Sequence, residues 1–216
     1  NREVDLVVLN RAPATVAAAA VTEGELLVEH DEDLKTRFML AATTQAEDFR
    51  RDLEEFVAIR RRSQSLSEKD RARLLRISQY LRDELADAHL YQNLDKRKYL
   101  SDRHFRRAVE RWVENLVNAS IDIAKIVVAS EKPPVPQTYY AIVSSLEGVP
   151  AFAHLAGDLA ENTRLRNALA HEYLDMRYSE VARVAGRAEE LYGGLADAAD
   201  TFREGSEETR SESHHD

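Results

Sequence analysis

Apolar residues along the chain form two kinds of pattern: short runs near the start, and long helical stripes from Asp33 onward. Val4-Asp5-Leu6-Val7-Val8-Leu9 is β-rich and closed by Asn10-Arg11-Ala12-Pro13, which reads as a short strand and a turn. An alanine-rich segment runs to about Val21. Glu23-Gly24-Glu25 then reads as a turn, and Leu26-Leu27-Val28 as a second short strand. A domain seldom opens on a core strand at its first residue, so either the chain is truncated or further residues precede it. From Asp33 to Arg62, Leu34, Phe38, Ala41, Ala42, Phe49, Leu53, Phe56 and Val57 fall mostly at helical spacing. The boundary is expected at Arg60-Arg61-Arg62-Ser63-Gln64-Ser65.

Ser67-Glu68-Lys69-Asp70 has the Ser-x-x-acid pattern of a helix start, in which the serine oxygen accepts from an unpaired amide of the first turn. Leu74, Ile77, Leu81, Leu85 and Ala88 make the stripe of that helix, which is expected to end near Asn93. Ser101-Asp102 opens the next one. Its core face includes Phe105, Val109, Trp112, Val113, Leu116, Ser120, Ile121, Ala124 and Val127. Pro133-Pro134-Val135-Pro136 stops it, since proline lacks the amide and clashes with the preceding turn. A short helix over 137–147, a fourth from about Ala151 to Tyr173 and a fifth from about Ser179 to Phe202 complete the pattern. The last residues are polar, and a disordered tail is expected over 205–216.

Composition narrows the class. Only seven glycines and five prolines occur in 216 residues, which suits long helices with few breaks. Cysteine is absent, so disulfides and thiolate metal sites are excluded, and a reducing cytoplasm is the expected setting. No stretch approaches the roughly 20 apolar residues that cross a bilayer, so no membrane partner is expected. The net charge of −9 argues against a protein that grips nucleic acid over its whole surface. Residues 67–202, however, hold 19 basic and 21 acidic groups and are close to neutral. Lys96, Arg97, Lys98, Arg103, Arg106, Arg107 and Arg111 outnumber Asp95, Asp102 and Glu110, so a local positive surface or a solvated mixed face lies there.

The candidate chemistry sits at the end of the fourth helix, Arg164-Leu165-Arg166-Asn167-Ala168-Leu169-Ala170-His171-Glu172-Tyr173. At about 100° per residue, Asn167 and His171 lie about 40° apart and Arg166 and Tyr173 about 20° apart. Arg166 and His171 lie about 140° apart. A long arginine side chain, a helix distortion or a second subunit would have to bring those two together. Periodicity alone also fits a helix end with a cation near its C-terminal dipole.

Arg166-Asn167-Ala168-Leu169-Ala170-His171 resembles the HEPN signature, and with Glu172-Tyr173 it matches the Arg-x4-His-x-Tyr form. That form is found in HEPN toxins paired with minimal nucleotidyltransferase (MNT) antitoxins. The resemblance covers about 67–204 and implies a mainly α fold, a HEPN bundle of about five helices. It further implies an antiparallel homodimer whose two motifs line one cleft and cleave RNA without metal or other cofactor. Arg166 would hold the phosphate, His171 would move protons, and Asn167 would orient the histidine or the RNA. Tyr173 resembles the tyrosine that an MNT partner modifies with AMP. Residues 1–62 resemble the C-terminal half of an MNT domain, a small α/β remnant in which Asp5 matches the third Mg²⁺ carboxylate. The Gly-Ser loop and Asp-x-Asp pair of that family do not occur in this sequence. Nucleotidyl transfer with Mg²⁺ and ATP is therefore expected only if upstream residues supply them, which would make the protein a fused antitoxin–toxin. The alternatives are a catalytically silent HEPN binding module, or a nucleotidyltransferase whose HEPN half holds substrate.

Overall fold

The computed structural model describes residues 6–62, 66–131, 135–165 and 174–212. Helix α1 spans Ala14–Glu23, α2 Glu32–Arg62, α3 Glu68–Leu85, α4 Ala88–Tyr91 and α5 Lys96–Ser101. Next come α6, Arg103–Ser130, and α7, Tyr139–Ser144, which continues as a 3₁₀ turn over Ser145–Gly148. Helix α8 covers Ala153–Asn162, α9 Leu174–Gly186 and α10 Ala188–Glu212. None of them is long and apolar enough to cross a membrane.

Helix starts follow the capping chemistry. Ser67 Oγ accepts from the Asp70 amide at 3.2 Å, and Asp102 accepts from the amides of His104 and Phe105 at 2.9 and 3.0 Å. Thr138 caps α7 through the Ala141 amide. Each side chain satisfies a donor that the first turn leaves without a backbone partner.

The centre of the fold is α6. Its first half buries one stripe, Val109, Trp112, Val113 and Leu116, whereas from Ala119 to Ala129 nearly every residue is buried. A helix enclosed on all sides needs neighbours on all sides, and α2, α3, α7, α9 and α10 pack against it. Helix α3 also lies along α10, where Arg82 pairs with Asp197 and Asp200 at 2.7 and 2.8 Å and Ser78 donates to Asp200.

Several expectations are corrected. Among the described residues there is no strand. Residues 6–8 and 25–29 carry no regular structure, and Leu6, Leu27 and Val28 are 90%, 83% and 68% exposed. The short apolar runs find no neighbouring strand for their backbone groups, so the expected α/β remnant is here a 3₁₀ turn at Leu9–Arg11 and a helix of alanines. Helix α2 forms as expected, but its Phe49, Phe56 and Ile59 join the same core as the helices after residue 67. The boundary near residue 63 therefore does not divide the core.

The first helix of the bundle ends at Leu85 rather than near Asn93. There the Glu84 carbonyl accepts from Trp112 Nε1 at 2.8 Å and from the Asp87 amide at 3.2 Å, in a tightened last turn. The fourth helix stops at Asn162, where the Thr163 amide and hydroxyl both bond the Ala160 carbonyl in a tightened last turn. The fifth is two helices, separated at Arg187, whose amide reaches back only to Val184. The last of them runs to Glu212, so residues 205–212 are helical rather than a disordered tail.

Candidate functional site

Arg166, Asn167, His171, Tyr173 and Asp5 lie outside the described residues. The chain on either side of 166–173 is described, and both ends are fastened by buried or partly buried polar contacts.

At the entry, Leu165 is in the core, and Asn162, the last residue of α8, is 1% exposed. Its Nδ2 donates to the Tyr192 hydroxyl at 3.1 Å, and its Oδ1 accepts from Arg183 Nη1 at 3.0 Å. Arg183 also pairs with Glu180 at 3.0 Å. Tyr192 is wholly buried, and that burial pushes its phenol well above the ordinary range, so it stays neutral. Removing the amide breaks the guanidinium contact and strands a buried phenol. Asn162→Ala should therefore cost about 1–3 kcal/mol in chemical denaturation, the range for leaving buried partners unsatisfied. A loss below a few tenths of a kcal/mol would mean that water replaces the amide there.

At the exit, Glu110 of α6 accepts from Tyr99 Oη at 2.6 Å and from Arg177 Nη1 at 3.3 Å. Burial raises the Tyr99 phenol, and its bond to the Glu110 carboxylate raises it further. Tyr178 donates to the Leu94 carbonyl at 2.9 Å and meets the Tyr99 ring edge-on, centroids 5.4 Å apart. The first turns of α9 are thereby tied to α5 and α6.

The sequence reading missed these anchors, although one signal was present. Asn162 follows Leu155 and Leu159 at i+7 and i+3, on the stripe that packs inward, and a polar residue there needs a partner.

The expected positive surface borders the exit. Lys96, Arg97, Lys98, Arg103 and Arg107 are all exposed on α5 and the start of α6, and α5 packs on α9. Lys96 lies 5.6 Å from the Tyr178 ring centre and Lys98 4.1 Å from that of Phe105. The nearby acids Asp95 and Asp102 cap α5 and α6.

A carboxylate trio, Asp52, Glu55 and Asp122, has spacing that could suit a metal ion. The Lys125 ammonium already occupies its centre, 2.7, 2.8 and 2.7 Å from the three. That cluster joins α2 to α6 and is structural.

A family model described as Ribonuclease HepT-like matches residues 73–192 of the chain. Comparison with curated proteins gave no match, and neither did comparison with solved structures. The matched span takes in both anchors and the whole of 166–173. It starts after α2.

Proposed function

The chain belongs to the ribonuclease HepT-like family, and from that membership we propose that it is a metal-independent endoribonuclease whose chemistry lies at Arg166 and His171. The observation that carries the reading is that the family match over 73–192 encloses the Arg-x4-His-x-Tyr sequence.

RNA brings its own nucleophile, the 2′-hydroxyl. An imidazole with an unperturbed pKa near 6.5 can take that proton and return one to the leaving 5′-oxygen. The guanidinium of Arg166 binds the phosphate and stabilises the charge that grows on it during attack. Asn167 orients the imidazole or the substrate. The proposed cleft is composite: two chains related by a two-fold axis let one contribute the guanidinium and the other the imidazole. The exposed cations of α5 and α6 extend the site along the RNA backbone. Purified protein should cut single-stranded RNA at the same rate with and without EDTA. Loss of activity in EDTA, restored by Mg²⁺, would count against this mechanism.

Regulation belongs to the same proposal. AMP on the Tyr173 hydroxyl would place a phosphate beside Arg166, pair with it and repel RNA. The modifying enzyme would be an MNT domain. The expected outcome of incubation with ATP, Mg²⁺ and a complete MNT partner is AMP on Tyr173, found by peptide mass mapping, with loss of cleavage. An active partner that leaves Tyr173 unlabelled would return that residue to simple packing.

A further inference from the structure

A cavity of about 200 Å³ lies between residues 12–15, α2, the start of α7 and the end of α8. Thr163 and Arg164 form one wall, so the cavity opens beside the entry to the motif. The mechanism above makes no use of it. Its volume is below the roughly 300–1,000 Å³ of sites for drug-sized molecules, and fits a single flat ring system.

The walls are those of a site for a flat, polar-edged ring. Phe49 and Tyr139 meet edge to face, centroids 5.0 Å apart. Tyr139 is held by its hydroxyl bond to Asp52 at 2.6 Å, so one wall is rigid. Tyr140 is 40% exposed and carries the Arg164 guanidinium over its ring, 5.3 Å from the centre. Gln45 and Gln137 line the same space with amides, groups that both donate and accept. Arg164 pairs with Glu161 at 2.7 Å on a largely exposed stem, so it can swing off the tyrosine without loss of core packing. Aromatic and guanidinium planes with amides at the edge are the means by which proteins hold an unstacked RNA base. Arg164 is two residues from Arg166, a stretch of chain that spans at most about 7 Å. The motif follows closely on Arg164 in the chain, so a base held in this cavity belongs to the RNA that the motif is proposed to bind.

We propose that the cavity bounded by Phe49, Tyr139, Tyr140, Gln45, Gln137 and Arg164 is the binding site for one unstacked base of the RNA substrate. The proposal rests on the ribonuclease reading, but its test does not need cleavage. The whole chain carrying His171→Ala is mixed with RNA bearing 4-thiouridine and 6-thioguanosine, irradiated, digested and mapped by mass spectrometry. The label should fall on the peptide holding Tyr139 and Tyr140. Tyr140→Ala should reduce it by about tenfold, as expected for a lost stacking contact, while Tyr140→Phe keeps it. Label confined to other peptides, or unchanged by Tyr140→Ala, overturns the proposal even if the wild-type protein cleaves RNA. Label that excess AMP removes while RNA stays bound would give the cavity to a free nucleotide and overturn it as well. Failure of the ribonuclease reading is a separate result, namely wild-type protein that leaves RNA intact.

Discussion

Replacing Lys125 with methionine should lower the unfolding free energy by about 3–5 kcal/mol at neutral pH, the cost of removing one partner from a buried ion cluster. The lysine is 2% exposed and its ammonium touches three carboxylates, Asp52, Glu55 and Asp122. Arg73 also pairs with Glu55 and reaches Asp122 at 3.7 Å. Methionine fills most of the same volume, so the loss isolates charge from packing. Burial pushes the Glu55 carboxyl up, but the hydrogen bonds from Arg73 and Lys125 outweigh it and hold the group down at about 2, against an ordinary 4.5. Its folded pKa thus lies below its unfolded one. The stability it contributes is present above about pH 4.5 and is lost as the pH falls toward 2. In the methionine variant Glu55 loses the Lys125 hydrogen bond and charge that help to hold its carboxyl down. The gap between variant and wild type should therefore narrow below about pH 4.5. Trp112, the single tryptophan, is buried against Tyr91 and reports the transition in urea. An unchanged midpoint at pH 7 would mean that water satisfies the cluster.

His171→Ala should slow RNA cleavage by about 10²–10⁴-fold, the usual worth of a positioned acid–base group. Arg166→Ala should cost a comparable factor, since a single charge-stabilising donor is worth about 10²–10³. Both variants should unfold at the wild-type denaturant midpoint. A mixture of the two is the more revealing sample. If each Arg–His pair in the shared cleft takes its arginine from one chain and its histidine from the other, each mixed dimer keeps one intact pair of two and regains up to half of the specific activity. No recovery on mixing, after demonstrated subunit exchange, would place both groups of a working site on one chain.

Local chemistry explains how much of the molecule could be read from its residues. Ser67 and Asp102 announce helix starts because a short polar side chain before an apolar stripe has one obvious use, and the structure has both caps. The core face of α6 was legible for the same reason: its apolar residues repeat at helical spacing over many turns. What escaped depends on contacts distant in sequence. Nothing in the sequence singles out Lys125; its role appears only when α2 brings Asp52 and Glu55 across to it. The Trp112 bond to Glu84 at the end of α3 comes from 28 residues away. The apolar runs near residues 6 and 27 read as strands on composition, but a strand exists only with a partner, and the described chain offers none. The motif residues Arg166, Asn167, His171 and Tyr173 were legible as a pattern. The anchors that set where the motif begins and ends were not: Asn162 meets Tyr192 across 30 residues, Arg177 meets Glu110 across 67, and Tyr178 meets Leu94 across 84.

The most direct test of the central claim is the chemistry of the ends that cleavage leaves. Attack by the 2′-hydroxyl gives a 2′,3′-cyclic phosphate on one fragment and a 5′-hydroxyl on the other, and needs no metal. Mass spectrometry of a short RNA cut by the wild-type protein in EDTA should find those two ends, and none after treatment with His171→Ala. Fragments ending in a 3′-hydroxyl and a 5′-phosphate, or cyclic-phosphate ends made equally well by His171→Ala, would contradict the account.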